Sequence, residues 1–316
     1  MRVLTEADVE RLLPSPAQAV ELARAALVAV ADGAAQVPAK PTVRLGERAG
    51  AGAFANAMPA AYPERNLLGC KWISIVPANV ERDLPTASGL VVVNDAVTGM
   101  PRAVMPAGAL TALRTAAVTG ACVAALADRG EPVTILGAGV QVRAHLRVLD
   151  ALGHQDVTVW ARRPQALDEL ESWAAEAVPA TRLTRAPTRA AAAGAARVVV
   201  TALAIGAPGL HLDPAWVRDD ALLLPLDYSS CVGPAVARTA TLVADHPEQF
   251  EALRDSGSLG PDYPSASGST GRLLTGRRPA GRVVCQNLGN GLADLVVADA
   301  VATAAETQGA GHVVDT

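Results

Sequence analysis

Aromatic side chains are nearly missing: Phe, Trp and Tyr make up 3% of the 316 residues. Hydrophobic residues still reach 50%, so the core must be built from Ala, Val and Leu, and a disordered chain is excluded. The formal net charge is −4, with both signs interspersed. No basic stripe or tail stands out, so nucleic acid is not an expected partner. Cysteine is scarce as well. Cys70, Cys122, Cys231 and Cys285 lie far apart without a C-x-x-C pair, and the five histidines are scattered without an H-E-x-x-H. That argues against a disulfide framework and against a metal site. No run of 18 apolar residues is free of charge or proline, and no signal-peptide core follows Arg2. The expectation is a soluble, cytoplasmic protein that crosses no membrane.

The length allows two domains at the usual size of about 100–200 residues each. Thr5-Glu6-Ala7-Asp8 before Val9 reads as a capping box, Ser15-Pro16 opens a longer helix, and Gly33 supplies its stop. From about 38 to 105 the texture changes to short β-like pieces punctuated by Pro, Gly and Asn, which predicts an antiparallel sheet. Residues 108–127 return to helix. Then strand and helix alternate over 133–136, 140–151, 157–160, 165–176, 197–201 and 221–226, the rhythm of βαβ units with a parallel sheet of six or so strands. "RVVCQ" reads as a last strand, followed by Gly289-Asn290-Gly291 and a helix over 292–306. "GSLGPDYPSASGSTGR" reads as a polar surface loop.

The most informative stretch is "EPVTILGAGVQVRAHLRVLDALG", residues 131–153. A short apolar strand, Val133–Leu136, runs into Gly137-Ala138-Gly139, and a helix opens at Val140-Gln141. Gly137 permits the tight turn, and Gly139 lets backbone N–H groups approach a pyrophosphate at the helix N-terminus. Val142 stands where the fingerprint usually has a third small residue. The bland alternative is an ordinary strand–turn–helix. About 20 residues on, where NAD enzymes place an acid on the ribose, the chain has Ala161, Arg162 and Arg163. Two guanidiniums suit a 2′-phosphate, which favours NADPH over NADH, although two solvated arginines would look the same.

In the front half, Arg44 ("PTVRLG"), Lys71 ("GCKWIS") and Arg114 ("ALTALRTAA") sit in plausible strand or helix settings, Lys71 in an apolar strand and Arg114 among Ala, Leu and Thr. Charges there cost free energy unless paired, so a bound anion is one explanation; snorkelling side chains are another. Asp227 ends the strand "LLLPLD", and a carboxylate at the C-terminal end of a parallel strand lies where ligands bind in such sheets.

Taken in order, "LTEADVERLL", Arg44 with Met58-Pro59 and Lys71, "LPTASGLVVVND", "ALTALRTAA" and "LGAGVQ" resemble the ornithine cyclodeaminase/μ-crystallin family. The resemblance runs over most of the chain and is weakest between 230 and 280. It implies a Rossmann-type doubly wound sheet inserted in a discontinuous α+β domain that binds substrate and forms a homodimer. The expected division is 1–116, completed by 289–316, with the nucleotide domain at 117–288.

Carried over, Arg44 and Arg114 match the family's carboxylate binders, Lys71 the lysine beside the reacting carbon's nitrogen or oxygen, and Asp227 its acid/base aspartate. Thr115 and the Gly289–Gly291 turn match cofactor positions, and Thr201 and Ala202 complete that set. Asn56 and Met58 complete the substrate set, but Asn56 lies where true cyclodeaminases place a glutamate near the substrate amine. "YSSCVGP" after Asp227 also departs from the more usual Pro-Gly run. These departures favour an NAD(P)H-dependent reductase of a small ketimine, or of a 2-oxo acid with an amine, over a cyclodeaminase that recycles its NAD. A non-catalytic binding protein of the μ-crystallin kind is the third reading.

Overall fold

Two capped helices open the chain in the computed structural model, which describes residues 1–315. After β1 (Arg2–Val3), Thr5 and Asp8 close a capping box on α1 (Glu6–Leu12), each backbone N–H donating to the other's side chain at 3.1 Å. Ser15 and Gln18 repeat the device on α2 (Pro16–Asp32), and Gly33 ends it at φ 73°, a left-handed conformation that favours glycine. The short β-like pieces expected next are longer than the punctuation suggests. Besides β2 (Thr42–Arg44) and β6 (Pro101–Pro106), there are three strands of nine residues: β3 (Phe54–Tyr62), β4 (Leu67–Ile75) and β5 (Ala87–Asp95). Pro59 lies inside β3, but β2 pairs only with Phe54–Asn56, so the missing N–H leaves no ladder bond from β2 unmade.

Helix α3 (Gly108–Leu126) carries the chain onward. It is long and apolar enough to cross a membrane, yet 67% of its apolar window is buried within the chain, as in a core helix. The alternating segment follows: β7 (Val133–Leu136), α4 (Val140–Ala151), β8 (Asp156–Trp160), α5 (Pro164–Ala177), β9 (Arg182–Arg185), α6 (Arg189–Ala195), β10 (Val198–Thr201), β11 (Leu222–Pro225), α7 (Pro234–Ala237), β12 (Ala240–Ala244), α8 (Pro247–Asp255), β13 (Gly268–Ser269), α9 (Thr270–Thr275) and β14 (Arg282–Gln286). Helix α10 (Gly291–Gln308) and β15 (His312–Val313) come last.

By contacts the chain forms two units, Met1–Arg114 with the chain from Asn290 onward, and Thr115–Gly289. The first holds a seven-stranded sheet, β15-β1-β6-β5-β4-β3-β2, antiparallel apart from the β1–β6 pair. Helix α10 is buried all round from Gly291 to Ala298 and packs on this sheet and on α2. The approach is close: a Cβ on Gly69 would stand 2.6 Å from Leu295 Cδ1, and one on Gly291 2.7 Å from the Met58 carbonyl oxygen. Glycine is required at both points for α10 to lie this near the strands.

The second unit is an all-parallel sheet, β13-β12-β14-β11-β10-β7-β8-β9, with eight strands rather than six or so. The extra ones escape a hydrophobicity reading because β9 is the polar edge "RLTR" and β13 has only two residues. The expected polar surface loop at 257–272 is corrected too. Leu259 and Tyr263 are buried in the core, the Tyr263 hydroxyl donates to the Val232 carbonyl at 3.0 Å, and the segment ends in β13 and the start of α9.

Candidate active site

In the first unit the pleat of β4 sorts its residues strictly. Leu67, Gly69, Lys71 and Ile73 face inward, while Trp72 is exposed on the other side. Lys71 therefore enters the core, only 1% exposed, and a buried ammonium needs a partner. That partner belongs to the chain itself. Asp294, one turn into α10, accepts a hydrogen bond from Lys71 Nζ at 2.6 Å. Arg114, 7% exposed on α3, brings Nε to 2.7 Å of the same oxygen, Oδ1. The pair is close, but it lies off hydrogen-bond geometry, and Asp294 Oδ2 is buried without a partner. The anion that the apolar settings of Lys71 and Arg114 demanded is thus an internal aspartate.

The N-terminal end of α10, capped by Asn290, which accepts from the Ala293 N–H at 2.9 Å, is a favourable place for a negative charge. Burial pushes Lys71 down to about 7, the charges of Arg114 and Lys40 add to the depression, and Asp294 opposes them.

Of the other expected substrate residues, Met58 is buried directly across from Lys71 in the β3–β4 register. Asn56, also buried, accepts from the Thr42 hydroxyl at 2.7 Å. Arg44 does not join the cluster. It is exposed on β2 opposite Phe54, four residues along β3 from Met58, and has no ion pair among the described residues. Asp294 and Lys40 were not foreseen. A count would have pointed to Lys40: of the 27 basic residues only Lys40 and Lys71 are lysines. Asp294 leaves a fainter trace, as the lone acid in "GLADLVV".

In the second unit, Gly137 turns at φ 140°, and a Cβ there would meet the Ala202 carbonyl oxygen at 2.6 Å. Val142, fully buried, closes over it with Cγ2 3.2 Å from that Cβ position, which is how the chain does without a third small residue. Ala138 follows, and Gly139 caps α4 with no side-chain hydrogen bond and open space where a Cβ would stand. Val140 is 72% exposed at the first helical position, and Gln141 keeps its Oε1 buried and unpartnered. The first turn is braced from behind. His145, held neutral because burial takes it to about 4, lies 2.6 Å from the Gln141 carbonyl by Nδ1 and 3.0 Å from Thr119 Oγ1 by Nε2. These are the requirements of a pyrophosphate cradle: bare helix N–H groups, glycine backbone and room above it. A nicotinamide dinucleotide fits this donor set. Arg162 and Arg163 stand exposed after β8, with Arg163 as the N-cap of α5.

Asp227 lies just beyond the end of β11, buried, with both oxygens engaged: Oδ1 accepts from Thr201 Oγ1 at 2.9 Å and Oδ2 from the Leu203 N–H at 3.1 Å. Burial holds its carboxyl above the ordinary range against these bonds. The expected cofactor residue Thr201 thus spends its hydroxyl inside the chain. So does the Gly289 amide, which donates to Asp245 Oδ2 at 2.7 Å, while Leu288 N–H takes Oδ1 at 3.1 Å. Asp245, at the end of β12, was not anticipated. Thr115 is buried in α3, and Gly291 is the first residue of α10.

Residues 1–288 match the ornithine cyclodeaminase/mu-crystallin family, and the chain belongs to it. Over 273 residues it is 29% identical to the nodulation efficiency protein NfeD of Rhizobium meliloti, which covers 83% of each chain. Over 181 residues it is 34% identical to a Δ1-pyrroline-2-carboxylate reductase of Burkholderia multivorans, 57% of this chain and 56% of that one. Among solved structures it superposes on the Thermococcus litoralis Δ1-pyrroline-2-carboxylate reductase, in complex with NADH and L-proline, with a TM-score of 0.85. That likeness covers 99% and 100% of the two chains at 21% identity, and shows the shared fold.

Proposed function

We propose that this protein is an NADPH-dependent reductase that turns a small ketimine carboxylate into the amino acid. The observation that carries the reading is the buried Lys71–Asp294–Arg114 cluster, which sets a guanidinium for a carboxylate next to an amine that can give up a proton near neutral pH. Kinship with pyrroline-carboxylate reductase supports it. Bound NADPH supplies the hydride. Arg114 orients the substrate through its carboxylate, and Lys71 hydrogen-bonds the imine nitrogen and delivers its proton there. Asp227 braces the ends of β10 and β11 through Thr201 and Leu203.

At the position where a cyclodeaminase needs an acid, Asn56 is neutral and is bonded to Thr42, which speaks against that chemistry. Stoichiometry separates the two: the reductase consumes one NADPH per turnover, a cyclodeaminase none. The test is NADPH oxidation with Δ1-pyrroline-2-carboxylate and with 2-oxo acids plus ammonia or methylamine. No oxidation with any of them overturns the reading.

The preference for NADPH rests on Arg162 and Arg163. One charge-assisted hydrogen bond to the 2′-phosphate contributes about 1.5–3 kcal/mol, so NADPH should bind at least about tenfold more tightly than NADH. Arg162→Ala with Arg163→Ala should erase the difference, leaving NADH affinity alone. Equal dissociation constants in the wild type contradict the assignment.

The homodimer is proposed on the outer face of the first sheet. There Trp72, 47% exposed, and Leu90, 50% exposed, are cross-strand neighbours, and the row Cys70, Val92 and Val104 runs beside them. An apolar sheet face of this kind is what a second copy would cover. Leu90→Glu should halve the mass measured in solution, and a wild-type monomer at micromolar concentration would rule the dimer out. The four free cysteines and the demand for NADPH suit a reducing cytoplasm.

A further inference from the structure

Two cations share one carboxylate oxygen in the first unit. Lys71 Nζ is 2.6 Å from Asp294 Oδ1 and Arg114 Nε 2.7 Å from it, with all three side chains almost wholly buried. With Lys71 protonated the group carries one positive charge in excess, and burial makes an uncompensated charge expensive. One incoming carboxylate brings the count to zero. The contact to Asp294 uses the Nε edge of Arg114, so the guanidinium's two outer nitrogens remain, and they form no hydrogen bond among the described residues. Those two nitrogens are the pair that grips a carboxylate in parallel.

We infer that Asp294 is the positioning residue of the substrate site: by holding Lys71 and Arg114 on one oxygen, it turns the outer edge of Arg114 to the substrate carboxylate and keeps Lys71 as the ammonium that protonates the imine. This rests on the reductase reading for its substrate, not for its geometry.

The charged groups facing Lys71 are Asp294 from α10, Arg114 from α3 and Lys40 ahead of β2; only Asp294 favours the charged amine, against burial and two cations. The composition agrees. Arginine occupies 25 of the 27 basic positions, the total less Lys40 and Lys71. Arginine cannot release its proton at cellular pH, whereas a buried lysine can.

The scarcity of lysine also makes the test clean. Lysine labelled with carbon-13 at Cε gives two resonances, and Lys40→Arg assigns the one from Lys71. In Asp294→Asn the Lys71 titration midpoint should fall by at least one pH unit. The pH at which kcat/KM for Δ1-pyrroline-2-carboxylate declines should fall with it, and KM should rise tenfold or more. Asp294→Glu, which keeps the charge but moves it, should retain the midpoint while KM still rises. NADPH affinity reports that the variants are folded. Should Asp294→Asn fail to fold, Arg114→Gln is read in its place, and the midpoint should then rise. An unshifted midpoint in whichever of these folds, or an unchanged KM in Asp294→Asn, overturns the inference. If the wild type oxidises NADPH neither with the pyrroline substrate nor with the 2-oxo acid and amine mixtures, the reductase reading fails while the resonance titration still decides the role of Asp294.

Discussion

Lys71→Ala should lower kcat by about 10²–10⁴-fold, the usual contribution of a positioned proton donor, with NADPH affinity unchanged because Lys71 is not part of the glycine turn. Steady-state kinetics beside an NADPH titration decide it; a wild-type kcat would reduce Lys71 to a structural residue. The wild-type profile has a definite sign. A step that needs the ammonium runs fully below the Lys71 pKa of about 7 and declines as pH rises through it.

Stability runs the other way. The folded pKa lies below the ordinary lysine value of 10.5, so between about 7 and 10.5 the unfolded chain binds more protons than the folded one. The proton cost of burying Lys71 is therefore fully present below pH 7 and fades as pH rises through that window. Urea unfolding at pH 6 and pH 9.5 should show the wild type gaining stability relative to Lys71→Ala at the higher pH.

Arg114→Ala should raise KM about 10- to 150-fold, the equivalent of the 1.5–3 kcal/mol of a charge-assisted hydrogen bond, with less effect on kcat. It also removes one of the two cations that depress Lys71, so the alkaline decline of activity should move to higher pH, opposite to Asp294→Asn. An unchanged KM means that the substrate carboxylate is held elsewhere. Arg44, exposed and apart on β2, would then be the next residue to substitute.

The resemblance to the family was legible because its motifs are short and lie in order along the chain, and the match over residues 1–288 agrees with it. The cluster was only half legible. Lys71 and Arg114 drew notice as charges among apolar neighbours, since a misplaced charge is visible in a few residues of sequence. Their partner was missed, because nothing near position 71 hints at an acid 223 residues later. Asp245 escaped for the same reason: it meets the Gly289 amide from 44 positions away.

What the sequence determined by itself is local. The boxes at Thr5–Asp8 and Ser15–Gln18, the stop at Gly33 and the bare turn Gly137-Ala138-Gly139 follow from hydrogen bonds and backbone preferences within a few residues. Only tertiary structure decided the length of the parallel sheet, the burial of Leu259 and Tyr263, the separation of Arg44 from Lys71, and the pairing of Lys71 and Arg114 with Asp294. Each of these depends on which distant backbone comes close. In the last case the packing of α10 on β3 and β4, allowed by Gly69 and Gly291, set a carboxylate against two costly buried charges.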